Sequence, residues 1–156
     1  MTNRADLIDS IRALPDQLEK KVEGLNAGKL TTPYNTGEWT VAQNVHQLAD
    51  SHMNSFVRFK LILTEDRPTL KPYDQETWAR QPDANHADIS QSLTLLRGLH
   101  QRWCALLDNL SEEDWSRGGR HPEVGQITID DLLVTYADHG EAHLRQIQAV
   151  LDAREH

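Results

Sequence analysis

Cysteine is nearly absent from this chain. Cys104 is the only one in 156 residues, so no internal disulfide can form and the fold must rest on a packed core. Long apolar runs are missing as well. Stretches such as Leu61–Leu63 and Leu132–Val134 fall far short of the roughly 20 apolar residues that a membrane-spanning helix needs. The first residues, including Thr2, Asn3, Arg4 and Asp6, lack the basic-then-apolar order of a secretory signal, so a cytoplasmic chain without membrane contact is expected. Positive charge is scarce: 16 Lys and Arg stand against 24 Asp and Glu, for a formal net charge of -8. With no basic cluster denser than Glu19-Lys20-Lys21, nucleic acid is not expected as a partner. The nucleophile-elbow, P-loop, dinucleotide-binding and C-x-x-C motifs are all absent. What is present is the length of one domain spanning 1–156, 38% hydrophobic residues to build a core, and eight histidines that call for an explanation.

The apolar residues follow helical spacing. Leu7, Ile8, Ile11, Leu14, Leu18, Val22 and Leu25 recur at three and four, with Pro15 inside the pattern, which predicts a kink or two short helices there. Asn26 to Gly37 reads as a connection. Thr40-Val-Ala-Gln43 has the form of a capping box, followed by a buried stripe from Val41 through Val45, Leu48, His52, Phe56 and Phe59 to Leu63. Glu65 to Ala87 carries three prolines, Tyr73 and Trp78 without sustained periodicity, and reads as a long crossover that could roof a pocket. Ile89, Leu93, Leu96, His100, Trp103, Leu107 and Leu110 form a third stripe. Ser111-Glu-Glu-Asp114 opens a short helical turn, and Gly118, Gly119, Pro122 and Gly125 read as turns. Thr128-Ile-Asp-Asp131 caps a last helix with Ile129, Leu133, Tyr136, Gly140, His143, Ile147 and Val150 on one face. Four substantial helices and no convincing strand predict an all-α four-helix bundle, in which the long crossover lets helices two and three run other than simply antiparallel.

Histidine is the candidate for chemistry. His139-Gly-Glu-Ala-His143 puts two imidazoles one turn apart, a spacing that lets them share a metal ion. On a wheel of about 100° per residue both fall on the core side of their helix, whereas Glu141 points away and reads as a solvated charge. Gly140 between them leaves room for close helix approach. In the second stripe His46 and Gln47 lie one turn before Asp50 and Ser51; Asp50 is a candidate acceptor for orienting a liganding histidine. His52 reads as a hydrogen-bonded core histidine, His100 as packing, and His86, His121 and His156 as loop or tail residues. The four tryptophans read as core and lid aromatics, and Cys104 as an inert buried thiol.

The run Gly37-Glu-Trp-Thr-Val-Ala-Gln-Asn-Val-His-Gln-Leu-Ala-Asp-Ser-His-Met-Asn54 resembles the YfiT branch of the DinB superfamily. The resemblance extends to Arg58-Phe-Lys60, Leu63-Thr-Glu65, Lys71-Pro-Tyr-Asp74, Leu99-His-x-Arg-Trp103 and the pair His139 and His143. It implies a four-helix bundle that holds nickel or zinc on three histidines, one from the second long helix and two from an H-x-x-x-H pair on the last. His139 and His143 match that pair. The second helix departs from the pattern: the family's His-His doublet, whose second member is the ligand, is His46-Gln47 here. The expected ligand set is therefore His139, His143 and Gln47, with His46 as the alternative should the helix rotate to present it. An amide oxygen is a harder and weaker donor than imidazole. By the same resemblance the chain is a metal-dependent hydrolase, or a transferase that joins a low-molecular-weight thiol such as bacillithiol to a small-molecule electrophile. The competing expectation is a non-catalytic bundle with a degenerate metal site that binds a small molecule or forms a homodimer.

Overall fold

The structure is a computed structural model and describes residues 3–34 and 38–153; Thr2, Gly37 and His156, which entered the sequence reading, lie outside them. Four long helices carry the fold: α1 (Arg4–Val22), α3 (Val41–Thr64), α5 (Ser90–Asp108) and α7 (Ile129–Ala153). Between them lie the short helices α2 (Ala27–Thr31), α4 (Gln75–Ala79) and α6 (Glu112–Ser116) and the hairpin β1 (Gly118–His121) and β2 (Gly125–Thr128).

Both expected capping boxes form. Thr40 Oγ1 accepts from the Gln43 amide at 3.0 Å while Gln43 Oε1 accepts from the Thr40 amide at 2.9 Å. Thr128 and Asp131 exchange the same pair of bonds at 3.0 and 3.1 Å, so the last helix begins where its sequence signal stands. α1 is one continuous helix with Pro15 inside it, not two short ones. α2 was not foreseen in the Asn26–Gly37 connection: the Asn26 side chain caps it by accepting from the Lys29 amide.

The hairpin corrects the reading of residues 118–128 as turns alone. β1 and β2 pair antiparallel with Gly119 opposite Ile127, and Gly125 closes the turn at φ +83, a conformation that favours glycine. Its strands are only four residues long and lack apolar alternation, so nothing in their pattern announces a sheet. The crossover supplies the support: the Leu70 amide donates to Arg120 O, and the Arg120 amide donates to Pro68 O.

α1 and α3 each pack on α5 and α7, placing α1 and α3 at opposite corners of the bundle. Cross-helix bonds give the directions. Arg4 meets Asp130, Ser10 meets Glu141 and Lys21 meets Gln148, so α1 and α7 run parallel. His46 meets Ser92 and His52 meets His100, so α3 and α5 also run parallel. The long crossover makes that possible by returning the chain along the bundle's length. Burial divides the interior into two apolar clusters. One gathers Ile8, Ile11, Phe59, Ile62, Trp103, Leu107 and Leu133; the other gathers Leu14, Leu18, Val45, Leu48, Leu96 and Ile147. The seam between them falls at His52, His100 and the His139–His143 turn.

Candidate metal centre

On α3, Asn44, Gln47 and Ser51 stand at i, i+3 and i+7 and share one face. Asn44 Oδ1 lies 2.9 Å from His143 Nδ1, and Ser51 Oγ lies 3.5 Å from His139 Nε2. Gln47 sits between them in the sequence of that face. Across from them, His139 Nε2 and His143 Nε2 point at each other at 3.3 Å. Their turn of α7 is pressed against α1 at Gly140, where an added Cβ would come within 3.0 Å of Leu14 Cδ2, so glycine here permits the close approach.

The Asn44 contact fixes the tautomer of His143. Asn44 Nδ2 donates to Thr40 O at 3.0 Å, so Asn44 presents its oxygen to the ring, and His143 Nδ1–H must donate to it. His143 Nε2 then carries a lone pair directed toward His139. Gln47 is held by its other end: Nε2 donates to Tyr73 Oη at 3.0 Å, and Oε1 is buried with no hydrogen-bond partner. A buried acceptor without a partner costs roughly 1–3 kcal/mol, which a bound cation or an ordered water would relieve. Trp39 stacks on His143 with ring centroids 6.1 Å apart. Trp39, Asn44, Gln75, Glu76, His139 and His143 are among the residues that line an open cavity of about 490 Å³.

Burial keeps these imidazoles neutral near pH 7. Desolvation, reinforced by His139, lowers His143 to about 3, and desolvation, partly opposed by Asp138, lowers His139 to about 4. Burial also lowers His100 to about 4, and His52, fully enclosed beside three other histidines, titrates well below the ordinary value. Tyr73 is pushed up by burial, so its phenol keeps its proton.

His46 is drawn elsewhere. Its Nε2–H donates to His86 O at 2.9 Å, and its Nδ1 lies 2.7 Å from Ser92 Oγ, so both ring nitrogens are engaged on the α5 side. Asp50 hydrogen-bonds neither His139 nor His143 among the described residues; half-buried and close to Asp83, it is pushed up to about 6, chiefly by desolvation. Glu141 is exposed and accepts from Ser10. Cys104 is buried and pushed up to about 11, as suits an inert thiol. His52 is a hydrogen-bonded core histidine, with Nε2 3.2 Å from His139 Nδ1 and Nδ1 2.8 Å from His100 Nε2. Sequence reasoning missed Asn44, Ser51 and Trp39. Their common signal is position, since the first two flank Gln47 on one helical face and Trp39 immediately precedes the cap of the same helix.

Among the described residues no three His, Cys, Asp or Glu side chains gather to hold a metal. The donors that meet are His139 and His143; Gln47, with its unpartnered oxygen, lies on the α3 face whose Asn44 and Ser51 contact that pair. Two imidazoles and an amide oxygen can ligate a borderline divalent cation, and the lone pair and the orphaned acceptor both fit such an ion.

The pattern of the DinB superfamily matches residues 10–147. The chain belongs to the DinB superfamily. It is 46% identical over 143 residues to an Oceanobacillus iheyensis protein named "putative metal-dependent hydrolase", covering 92% of this chain and 83% of that one. It is 45% identical over 141 residues to Bacillus subtilis YfiT, which bears the same description, covering 90% and 79%. The solved structure of YfiT, described as a "probable metal-dependent hydrolase with an unusual four-helix bundle topology", superimposes with a TM-score of 0.90 at 42% identity, covering 94% of this chain and 85% of that one. A mycothiol-dependent maleylpyruvate isomerase shares the fold at a TM-score of 0.57 and 15% identity, with 94% and 61% covered. This DinB-superfamily chain is thus a four-helix bundle of the YfiT kind, and no helix among its described residues is long and apolar enough to cross a membrane.

Proposed function

We propose that the chain is a metal-dependent enzyme that acts on a small-molecule electrophile, with His139, His143 and Gln47 as the protein ligands of nickel or zinc. The observation that carries this is the His143 Nε2 lone pair aimed at His139 Nε2, opposite a helix face that holds the unpartnered Gln47 oxygen. A divalent cation supplies Lewis acidity there, which makes a water or a thiol cosubstrate nucleophilic near neutral pH. The chain's own residues do the positioning. Asn44 holds His143 in the tautomer that leaves Nε2 free. Tyr73 holds the Gln47 amide so that Oε1 remains available. Trp39 covers one face of His143. The cavity of about 490 Å³ is of the size that takes a small molecule. A low-molecular-weight thiol as the nucleophile is supported by the family resemblance, and it agrees with a reducing, cytoplasmic setting.

Elemental analysis of untagged protein purified without chelator tests the reading. About one equivalent of nickel or zinc is expected, lost in His139→Ala and His143→Ala, with Gln47→His leaving already tight binding near the wild-type level. A chain that neither carries nor takes up zinc or nickel overturns it. The competing reading is a non-catalytic bundle, favoured by one observation: the third donor is a neutral amide. Weak wild-type binding that becomes tight in Gln47→His would point that way.

A further inference from the structure

We infer that His52 and His100 are positioning residues: a hydrogen-bonded relay, anchored at the Ile11 carbonyl, that fixes the tautomer of His139 so that its Nε2 presents a lone pair to the metal-binding cavity.

Pro15 leaves one carbonyl of α1 unanswered. In an α-helix the carbonyl of residue 11 would accept from the amide of residue 15, but proline has no N–H, so Ile11 O has no partner within its helix. His100 Nδ1 lies 2.7 Å from that oxygen. A carbonyl can only accept, so His100 Nδ1 carries the proton and donates it. His100 is neutral and holds one ring proton, so its Nε2 is an acceptor. His52 Nδ1, 2.8 Å away, must donate to it. His52 Nε2 is then an acceptor in turn, and His139 Nδ1, 3.2 Å away, must donate. The proton of His139 is thereby committed to Nδ1, and its Nε2 is left with a lone pair 3.3 Å from the one that Asn44 imposes on His143. Reversing the relay would pair His139 with His143 but would set a bare His100 nitrogen against the Ile11 carbonyl at 2.7 Å in a buried site. Trp103 braces the relay edge-on, with ring centroids 5.5 Å from both His52 and His100. The relay thus runs from a backbone oxygen on α1 through α5 and α3 to α7, crossing all four long helices.

The inference rests on the metal-centre reading for its purpose, but its test does not depend on metal. Imidazole nitrogen-15 NMR of the metal-free wild-type chain at pH 7.5 is expected to show His100, His52 and His139 protonated at Nδ1. His100→Phe keeps the ring shape and removes the acceptor for His52. His139 is then expected to move toward the Nε2–H tautomer, and the dissociation constant for zinc to rise about 10- to 100-fold, the range for loss of an outer partner of a ligand. His100→Gln, whose Oε1 can accept from His52, is expected to keep the His139 tautomer and to hold zinc affinity within about 3-fold of wild type. A wild-type His139 protonated at Nε2 overturns the relay, as does an unchanged Nδ1–H tautomer in His100→Phe. The wild-type spectrum decides the matter even if His100→Phe fails to fold. Correct tautomers in a chain that binds no zinc would sustain the relay and sink the metal reading.

Discussion

The two apolar clusters and the histidine seam between them are built by opposite rules. In the clusters each residue is buried because its own helix repeats apolar positions at three and four, and any partner of similar volume would do: Leu18, Leu48 and Ile147 need only meet other hydrocarbon. In the seam each residue is tolerated because one particular atom on another helix answers it. His100 needs Ile11 O, His143 needs Asn44 Oδ1, and His139 needs the unprotonated side of His52. The clusters supply stability and the seam supplies directed lone pairs. A bundle that buried only hydrocarbon would be firmer and chemically silent.

The sharpest way to break this contrast is to truncate each region and measure both properties. Leu18→Ala, at a fully buried position, should lower unfolding free energy by about 2–5 kcal/mol in denaturant titration and leave zinc affinity near wild type. His143→Ala should do the reverse, weakening zinc binding about 100-fold or more in calorimetry with a smaller loss of stability. Equal losses of both properties in both variants would show that the regions are not separable.

The next effect is on pH dependence. His100, His139 and His143 are lowered to about 4, 4 and 3 in the folded chain, and His52 lies well below its ordinary value. On acidification the unfolded chain takes up protons at about pH 6.5, before the folded one can. The seam's contribution is therefore present above that value and is lost as pH falls toward 4. Urea midpoints at pH 7.5, 6, 5 and 4.5 should decline steadily, and less steeply in His100→Gln, which removes one of the titrating groups. A flat profile would mean that the seam histidines are not held neutral.

The smallest effect concerns the helix approach. Gly140→Ala gains about 1 kcal/mol of helix propensity but sets a methyl 3.0 Å from Leu14 Cδ2, and overpacking costs about 1–3 kcal/mol. A net destabilisation within about 2 kcal/mol is expected, reversed to a gain when Gly140→Ala is made in a Leu14→Ala background.

Much of the frame was legible in the residues. The four stripes, the Thr40–Gln43 and Thr128–Asp131 caps and the long crossover are local patterns, and each stands where its signal lies. The hairpin was not legible, because its pairing depends on contacts with residues 68 and 70 of the crossover. α2 was not legible because one capped turn carries too short a period to register. At the site, the core-side phase of His139 and His143 could be read from the wheel, and so could the enclosure of His52. That His46 turns to Ser92 and His86 could not be read, nor that Asp50 stands apart from the pair, because adjacent positions on a helix diverge by about 100° and only packing decides which neighbour each one meets.

Pro15 shows where the division falls. The sequence by itself determined that the carbonyl of Ile11 would lack its helical partner, that two imidazoles would share a turn of the last helix, and that apolar stripes would drive four helices together. Only the tertiary structure decided that His100 would take up that carbonyl, that His52 would carry the constraint across to His139, and that Asn44 would set His143. The reason is physical: apolar periodicity is a property of one helix, whereas the proton order of a buried hydrogen-bond relay is set by partners on four.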